Sequence, residues 1–267
     1  MSETNRLKAG LDKALAPLRN WAMGNKPSQS GCGRQVPADL RAETSPVKGE
    51  QSARANERHA MVTTQISARG IKNPDVLRVL RDIPRHEFVP ASIRDHAYED
   101  GALPIGNGQT ISQPYIVALM TEALELTKDC RVLEIGTGCG YQSAVLAALC
   151  RQVFSIEIIA ELAEETRRRL ARMRIDNVAI RTADGYRGWP EESPFDCIMV
   201  TAAPDHIPEH LFAQLKEGGR LIIPVGEGNQ DLMVFKLIEG GLQSKRLIPV
   251  RFVPMTGEAM QPVRHHN

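Results

Sequence analysis

Hydrophobic and polar positions change rhythm twice along this chain. Up to residue 57 there is almost no apolar pattern: "NKPSQSGCGRQVPADLRAETSPVKGEQSARANE" is polar and broken throughout by Gly, Pro and Ser. Such a segment cannot bury enough apolar surface to offset its ordering entropy. Residues 1–57 therefore read as a disordered extension, with at most a short helix over 6–23, where Leu and Ala recur at helical spacing. Over 58–130 the period is helical. "MVTTQISARGIKNPDVLRVLRDIPRHEFVP" predicts two helices, the first closed by Gly70, the second opened by Asn73-Pro74-Asp75 and stopped by Pro84. "DHAYEDGALPIGNGQTISQ" follows as a turn-rich loop region, ahead of an apolar helix that starts at Pro114.

From residue 131 short apolar runs alternate with amphipathic ones. "RVLEIG", "QVFSIEI", "VAIRTAD", "FDCIMVTAA" and "RLIIPVG" read as strands, and "YQSAVLAALC", "AELAEETRRRLARMRI" and "IPEHLFAQLKEGG" as the helices between them. "DLMVFKLIEGGLQSKRLIPVRFVPM" reads as a hairpin turning at Glu239-Gly240-Gly241. Strand–helix alternation with apolar strands predicts an α/β fold, a doubly wound and mostly parallel sheet covered on both faces. The whole of 58–267 is then one domain: N-terminal helices and a loop region over 58–130, the sheet and a C-terminal β-hairpin over 131–267.

Composition narrows the field. The chain has 267 residues, 33 Lys plus Arg and 32 Asp plus Glu, so bulk charge offers nothing to nucleic acid or to an anionic membrane. No apolar run approaches the ~20 residues that span a bilayer, and the N-terminus lacks a secretory signal. Cys32, Cys130, Cys139, Cys150 and Cys197 are odd in number and form no CxxC, so neither a disulfide framework nor a zinc site is indicated. The expectation is a cytoplasmic monomer with free thiols and no metal.

In an open parallel sheet, ligands sit at the carboxyl ends of the strands. The first strand ends in "EIGTGCGY". Gly136, Gly138 and Gly140 let the backbone turn sharply, and Thr137 lies between two of them. The spacing is GxGxG, because Tyr141 stands where the dinucleotide fingerprint has its third glycine and is expected to crowd that position. Glu134 just before the turn would repel a pyrophosphate and suit a ligand with a cationic end. Glu157, about 20 residues on, can accept both hydroxyls of a ribose. Asp184-Gly185 end the third strand, where a carboxylate can accept a hydrogen bond from an adenine amino group. An adenosine with a positive centre and no phosphate satisfies all three strand ends, and S-adenosylmethionine is such a ligand.

"LPIGNGQTISQPYIVALMTEALEL", "RVLEIGTGCGYQSAVLAAL", "PFDCIMVTAAPDHIPEHLFAQLKEGGRLIIPVG" and "VRFVPM" resemble the bacterial protein-L-isoaspartate O-methyltransferases. The resemblance runs from about residue 61 to about 256. "GQTISQPY" is its most specific part. It implies a Rossmann-like methyltransferase fold and a protein repair reaction: a methyl group passes from S-adenosylmethionine to the α-carboxylate of an L-isoaspartyl residue in a damaged protein or peptide. It also implies that Ser112 is the active-site residue and that Thr110 and Ile111 line the cofactor pocket. Some eukaryotic relatives bring a Thr and a Gln near the C-terminus to the cofactor; Thr256 and Gln261 stand at a similar spacing.

Read without the resemblance, Ser112 equally suits the cap of the helix that begins at Pro114. The nucleophile such a reaction needs is a carboxylate already ionised at neutral pH. That agrees with the scattered placement of His86, His96, His206 and His210, which form no general-base dyad. The loop over 202–208 is expected to face the same mouth and to bind peptide backbone. A methyltransferase of another substrate shares the cofactor half, and a non-catalytic binder of damaged protein shares the surface. A nicotinamide oxidoreductase is disfavoured by Glu134 and Tyr141.

Overall fold

Three neighbouring strands of the structure are buried nearly end to end, as their apolar runs require. They are β3 (Arg131–Ile135), β4 (Gln152–Glu157) and β6 (Phe195–Val200). This computed structural model describes residues 48–226, 228–239 and 241–257. Seven strands form the main sheet in the order β5-β4-β3-β6-β7-β8-β9. β5 (Val178–Thr182), β4, β3, β6 and β7 (Leu215–Val225) are parallel. β8 (Gln230–Ile238) and β9 (Gly241–Val250) add an antiparallel hairpin at one edge. Strand order reverses between β3 and β6, so the ligand crevice belongs at their carboxyl ends.

Side chains alternate across this sheet with the strand period of two. Val132, Val153, Cys197 and Met199 face one layer, with Met120 and Leu124 of the helical side and Leu146 of α4 (Tyr141–Ala147). Leu133, Ile135, Phe154, Ile156, Ile198 and Val200 face the other, with Leu211 and Phe212 of α6 (Glu209–Phe212). α5 (Ala160–Arg172) covers β4 and β5.

The N-terminal helices pack on the first layer. α1 (Lys48–Ala60) runs into a wide turn over Met61–Ile66 and a tight one over Ser67–Arg69, closed by Gly70 at φ +101°. α2 (Pro74–Asp82) follows, its N-cap Asn73 accepting from the N–H groups of Asp75 and Val76 at 3.0 and 3.2 Å. A two-stranded hairpin of β1 (Leu103–Gly106) and β2 (Gln109–Ile111) precedes α3 (Pro114–Ala123).

Three expectations need correction. Among the described residues, α1 begins at Lys48, ten residues before the boundary expected at 58. Arg54 of α1 reaches across to Asp95 and donates to the Arg94 carbonyl at 3.3 Å, so this helix is docked on the fold. Residues 1–47 lie outside the described residues, and with them the helix expected over 6–23. The helix expected over 207–219 is only four residues long. Beyond it Leu215 pairs with Phe195, and the Phe195 N–H donates to the Gln214 carbonyl at 2.8 Å. The strand must then slip so that Arg220 pairs with Cys197, and Gly218 at φ +80° lies within that bulge. Finally, the loop region over 95–113 contains the β1–β2 hairpin, turned by Gly106, Asn107 and Gly108, all at positive φ.

Candidate active site

A cleft opens where β3, β4 and β6 end. Its floor is the glycine turn. Gly136 sits at φ +94°, and a Cβ there would lie 2.4 Å from Thr201 Oγ1. That hydroxyl is already shared between the Ile135 and Gly136 carbonyls, at 2.9 and 2.7 Å. The turn after β3 is thus tied to the end of β6 across the switch point, and only glycine fits the join. Gly138 lies under the β1–β2 hairpin, in van der Waals reach of Ile105. Gly140 has left the cleft: a Cβ on it would lie 2.5 Å from the Thr166 methyl of α5. It therefore supplies the close helix packing that the sequence left without a glycine. Tyr141 does not crowd that position, because it is buried with its ring edge on Phe88, 5.3 Å between centroids.

Glu157 forms the acidic wall. It is 5 % exposed and each carboxylate oxygen accepts one backbone N–H, Gly138 at 2.8 Å and Ile159 at 2.9 Å. Every carboxylate oxygen has a further lone pair, so two more donors can be accepted from the cleft. Ile158 beside it is 39 % exposed, a large apolar side chain left at the rim. Gly185 completes this side, its Cα pressed against Ile135. Asp184 does not line the cleft. Its Oδ1 accepts from the Tyr186 N–H at 2.9 Å and Gly257 packs against the carboxylate.

Glu134 is not a wall of the cleft either. In β3 it shares a face with Val132 and is completely buried. The Ser143 and Ser155 hydroxyls donate to its Oε2 at 2.5 and 2.7 Å, and the Thr137 hydroxyl reaches Ser155 at 2.6 Å. Oε1 has no partner among the described residues. Burial pushes this carboxyl up to about 7, against the opposing pull of the two serines. Glu134 and Thr137 thus brace the turn from beneath.

The opposite wall comes from the hairpin. Gln109 and Thr110 line the cleft, whereas Ile111 turns into the helical core at 3 % exposure, as alternation along a strand demands. Ser112 follows at the end of β2, partly exposed. It does not cap α3: the N-cap residue is Gln113, whose side chain makes no cap bond. Among the described residues nothing hydrogen-bonds the Ser112 hydroxyl.

The last wall was the least legible. After β9 the chain returns to the cleft, where the Ala203 N–H donates to Val253 O at 2.9 Å and the Met255 N–H to Ala203 O at 2.7 Å. Gln230 clamps Phe252 through its amide, and Val253, Pro254, Met255 and Thr256 reach the cleft. Thr256 therefore lines it; Gln261 lies outside the described residues. Ala202, in the loop expected to face the mouth, lines it too. Thr201 and Ile158 are functional candidates that sequence reasoning missed, although both lie within runs read as strands.

Among the described residues of the lining, Glu157 is the one ionisable side chain. Among these described lining residues there is no Lys or Arg to receive a phosphate. No helix of the described residues is long and apolar enough to cross a membrane, and none of their His, Cys, Asp and Glu side chains cluster as a metal site.

Comparison with known proteins returns one consistent result. The model of the protein-L-isoaspartate(D-aspartate) O-methyltransferase family matches residues 56–260. Protein-L-isoaspartate O-methyltransferase of Opitutus terrae is 52 % identical over 210 residues, covering 78 % of this chain and 90 % of that one. The protein of the same name from Myxococcus xanthus is 52 % identical over 200 residues, 73 % and 94 % of the two chains. A solved protein-L-isoaspartate O-methyltransferase superposes with a TM-score of 0.68 at 34 % identity, covering 77 % of this chain and 67 % of that one. A Plasmodium falciparum structure given the same family name, in complex with S-adenosyl-L-homocysteine, reaches 0.66 at 27 % identity, covering 74 % and 98 %.

Proposed function

The chain belongs to the protein-L-isoaspartate(D-aspartate) O-methyltransferase family, and from that premise we infer how its cleft carries out the repair reaction. The protein is an S-adenosylmethionine-dependent enzyme that methylates the α-carboxylate of L-isoaspartyl residues in damaged proteins and peptides. The observation that carries this reading to the residues is the charge of the cleft: one carboxylate, Glu157, and no cation among the described lining residues. Such a lining suits a nucleoside bearing a positive centre. The residues present fit the cofactor. Gly136 and Gly138 leave the backbone bare, and Glu157 keeps lone pairs for two ribose hydroxyls while it anchors the turn. Ile158 offers an apolar face to a base. Gly185 lies at the third strand end, where an adenine edge would come, and Asp184 holds that turn in place.

S-adenosylmethionine supplies, when bound, an electrophilic methyl group. The chain's own part is orientation and exclusion of water. The substrate carboxylate is already ionised, so no side chain need remove a proton. Ser112 donates its hydroxyl to one carboxylate oxygen, a role supported by its having no other partner among the described residues. Thr110 and Gln109 screen the reacting atoms from solvent on one side, and residues 253–256 on the other. Holding the two reactants in line is the main source of rate. The free buried thiols of Cys130, Cys139, Cys150 and Cys197 accord with a reducing cytoplasm. We read residues 48–257 as a single catalytic unit.

Labelled methyl transfer from S-adenosylmethionine to an isoaspartyl peptide, with the matching aspartyl peptide as control, tests the function. Transfer to the first and not the second is expected. Cofactor binding without transfer to either would identify a non-catalytic binder and overturn the reading.

A further inference from the structure

Ser112 has no hydrogen bond of its own among the described residues, so something else must set its direction. On its N-terminal side Ile111 is buried in the core. On its C-terminal side Gln113 is the N-cap residue of α3, yet its side chain ignores the helix end. Its Nε2 instead donates to Asp100 Oδ1, at 2.7 Å. The Asp100 carboxylate also receives Arg69 Nη1, at 3.2 and 3.4 Å to its two oxygens. The Arg69 guanidinium in turn lies 3.8 Å above the Tyr115 ring, in the first turn of α3. Asp100 is therefore tied to both residues that flank Pro114.

The segment carrying Asp100 is itself held from beneath. Arg85 is fully buried; its Nε donates to the Ala97 carbonyl at 2.8 Å and one Nη approaches Gly101 O at 3.5 Å. The guanidinium lies 5.0 Å from the centre of the Tyr141 ring, and burial draws it below its ordinary value. Burying a cation is costly. Here that cation brackets the five residues 97–101, among which Tyr98 also receives Gln65 on its carbonyl, at 2.8 Å. A surface loop with no task would not need such an anchor.

We propose that Asp100 is a positioning residue for the methyl transfer, acting through Gln113 to aim the Ser112 hydroxyl at the substrate carboxylate. The inference rests on the reading of Ser112 given above. Arg85 fixes where Asp100 stands, Asp100 fixes the Gln113 side chain, and the peptide unit between Ser112 and Gln113 then has one orientation. Arg69 pairs with Asp100 and balances its charge beside an anionic substrate. The bond from Gln113, more than the ion pair, transmits the position, because Gln113 is covalently next to Ser112.

The test compares Asp100→Ala, Gln113→Ala, the double variant and Asp100→Asn with the parent, in single-turnover methylation of an isoaspartyl peptide. S-adenosylhomocysteine affinity by calorimetry and a denaturant melt are read alongside. Asp100→Ala and Gln113→Ala should each slow the single turnover about tenfold, the scale of a small misplacement of a reacting group, with affinity within about twofold of the parent. The double variant should be no slower than either single one, since both break the same bond. Asp100→Asn keeps an acceptor for Gln113 and should recover most of the rate, which a merely structural ion pair would not. Parental rates in both single variants would overturn the proposal. So would multiplicative losses, or an Asp100→Asn variant as slow as Asp100→Ala. If Asp100→Ala fails to fold, Gln113→Ala and Asp100→Asn decide alone. A parent that methylates no isoaspartyl peptide removes the functional reading and this inference together; a competent parent with unaffected variants removes only this one.

Discussion

Replacing Glu157 by Gln tests the cofactor site most sharply, provided it is done as a cycle. The two carboxylate oxygens already hold Gly138 N–H and Ile159 N–H, at 2.8 and 2.9 Å. A Gln side chain can accept only one of these and turns an NH2 group toward the other. The ligand-free protein should therefore lose stability, about 1–3 kcal/mol for a buried donor left unsatisfied. Affinity for S-adenosylhomocysteine should fall as well, about ten- to a hundredfold, the equivalent of a lost hydrogen bond to a charged group of ~1.5–3 kcal/mol. Neither loss alone separates a ribose acceptor from an anchor of the glycine turn. The 2′-deoxy analogue of S-adenosylhomocysteine does so. If Glu157 accepts the 2′-hydroxyl, the parent should bind the analogue about ten- to a hundredfold more weakly, and the Gln variant should show little further loss. The coupling between the two changes should then be about 1–3 kcal/mol by calorimetry on the four combinations. Additive losses, with coupling below about 0.5 kcal/mol, would refute the ribose assignment and leave Glu157 as a brace.

Other outcomes follow from the same geometry. Ser112→Ala should slow single-turnover methylation about ten- to a hundredfold while the denaturant melt and S-adenosylhomocysteine affinity stay put, because the hydroxyl caps no helix; a lowered melt with a parental rate would contradict the catalytic role. Glu134 is raised from its ordinary 4.5 to about 7 in the fold, so the folded protein binds the proton more tightly than the unfolded chain. The Glu134 contribution to stability should therefore be full below about pH 4.5 and be lost, by about 3 kcal/mol, as pH rises through 7. Glu134→Gln should remove this slope, and urea melts giving the same parent–variant difference at pH 5 and pH 8 would count against it. A chain starting at Lys48 should melt like the full chain. One starting at Arg58 should melt about 2–4 °C lower, since it loses the Arg54 bonds worth about 1 kcal/mol; equal melts for both would mean that α1 adds nothing before Arg58.

What the sequence revealed and what it hid divide along a physical line. β3, β4 and β6 were legible because burial on both faces leaves a run of apolar residues that no surface element tolerates. The glycine turn was legible because only glycine meets its positive φ values and close approaches. Orientation was harder. Alternation along β3 puts Glu134 on the face of Val132 and away from that of Ile135, which lines the cleft, so its burial could have been read from the period of two. The same rule sends Ile111 inward while Thr110 lines the cleft. Register and return paths were not legible in local pattern, and only the resemblance pointed Thr256 toward the cleft. Residues 215–219 join a strand through a bulge, and no local pattern announces a bulge. Residues 253–256 reach the cleft through hydrogen bonds to Ala203, a partner about fifty positions earlier in the chain. The Asp100–Gln113 bond joins two polar residues thirteen positions apart in a stretch that reads as plain loop. Local chemistry is thus written in composition and period, whereas aim is set by distant pairings. On the reading proposed above, the Ser112 hydroxyl orients the substrate carboxylate and needs no unusual acidity. Its competence is then a matter of aim, which lies in Arg85, Asp100 and Gln113 rather than in Ser112 itself.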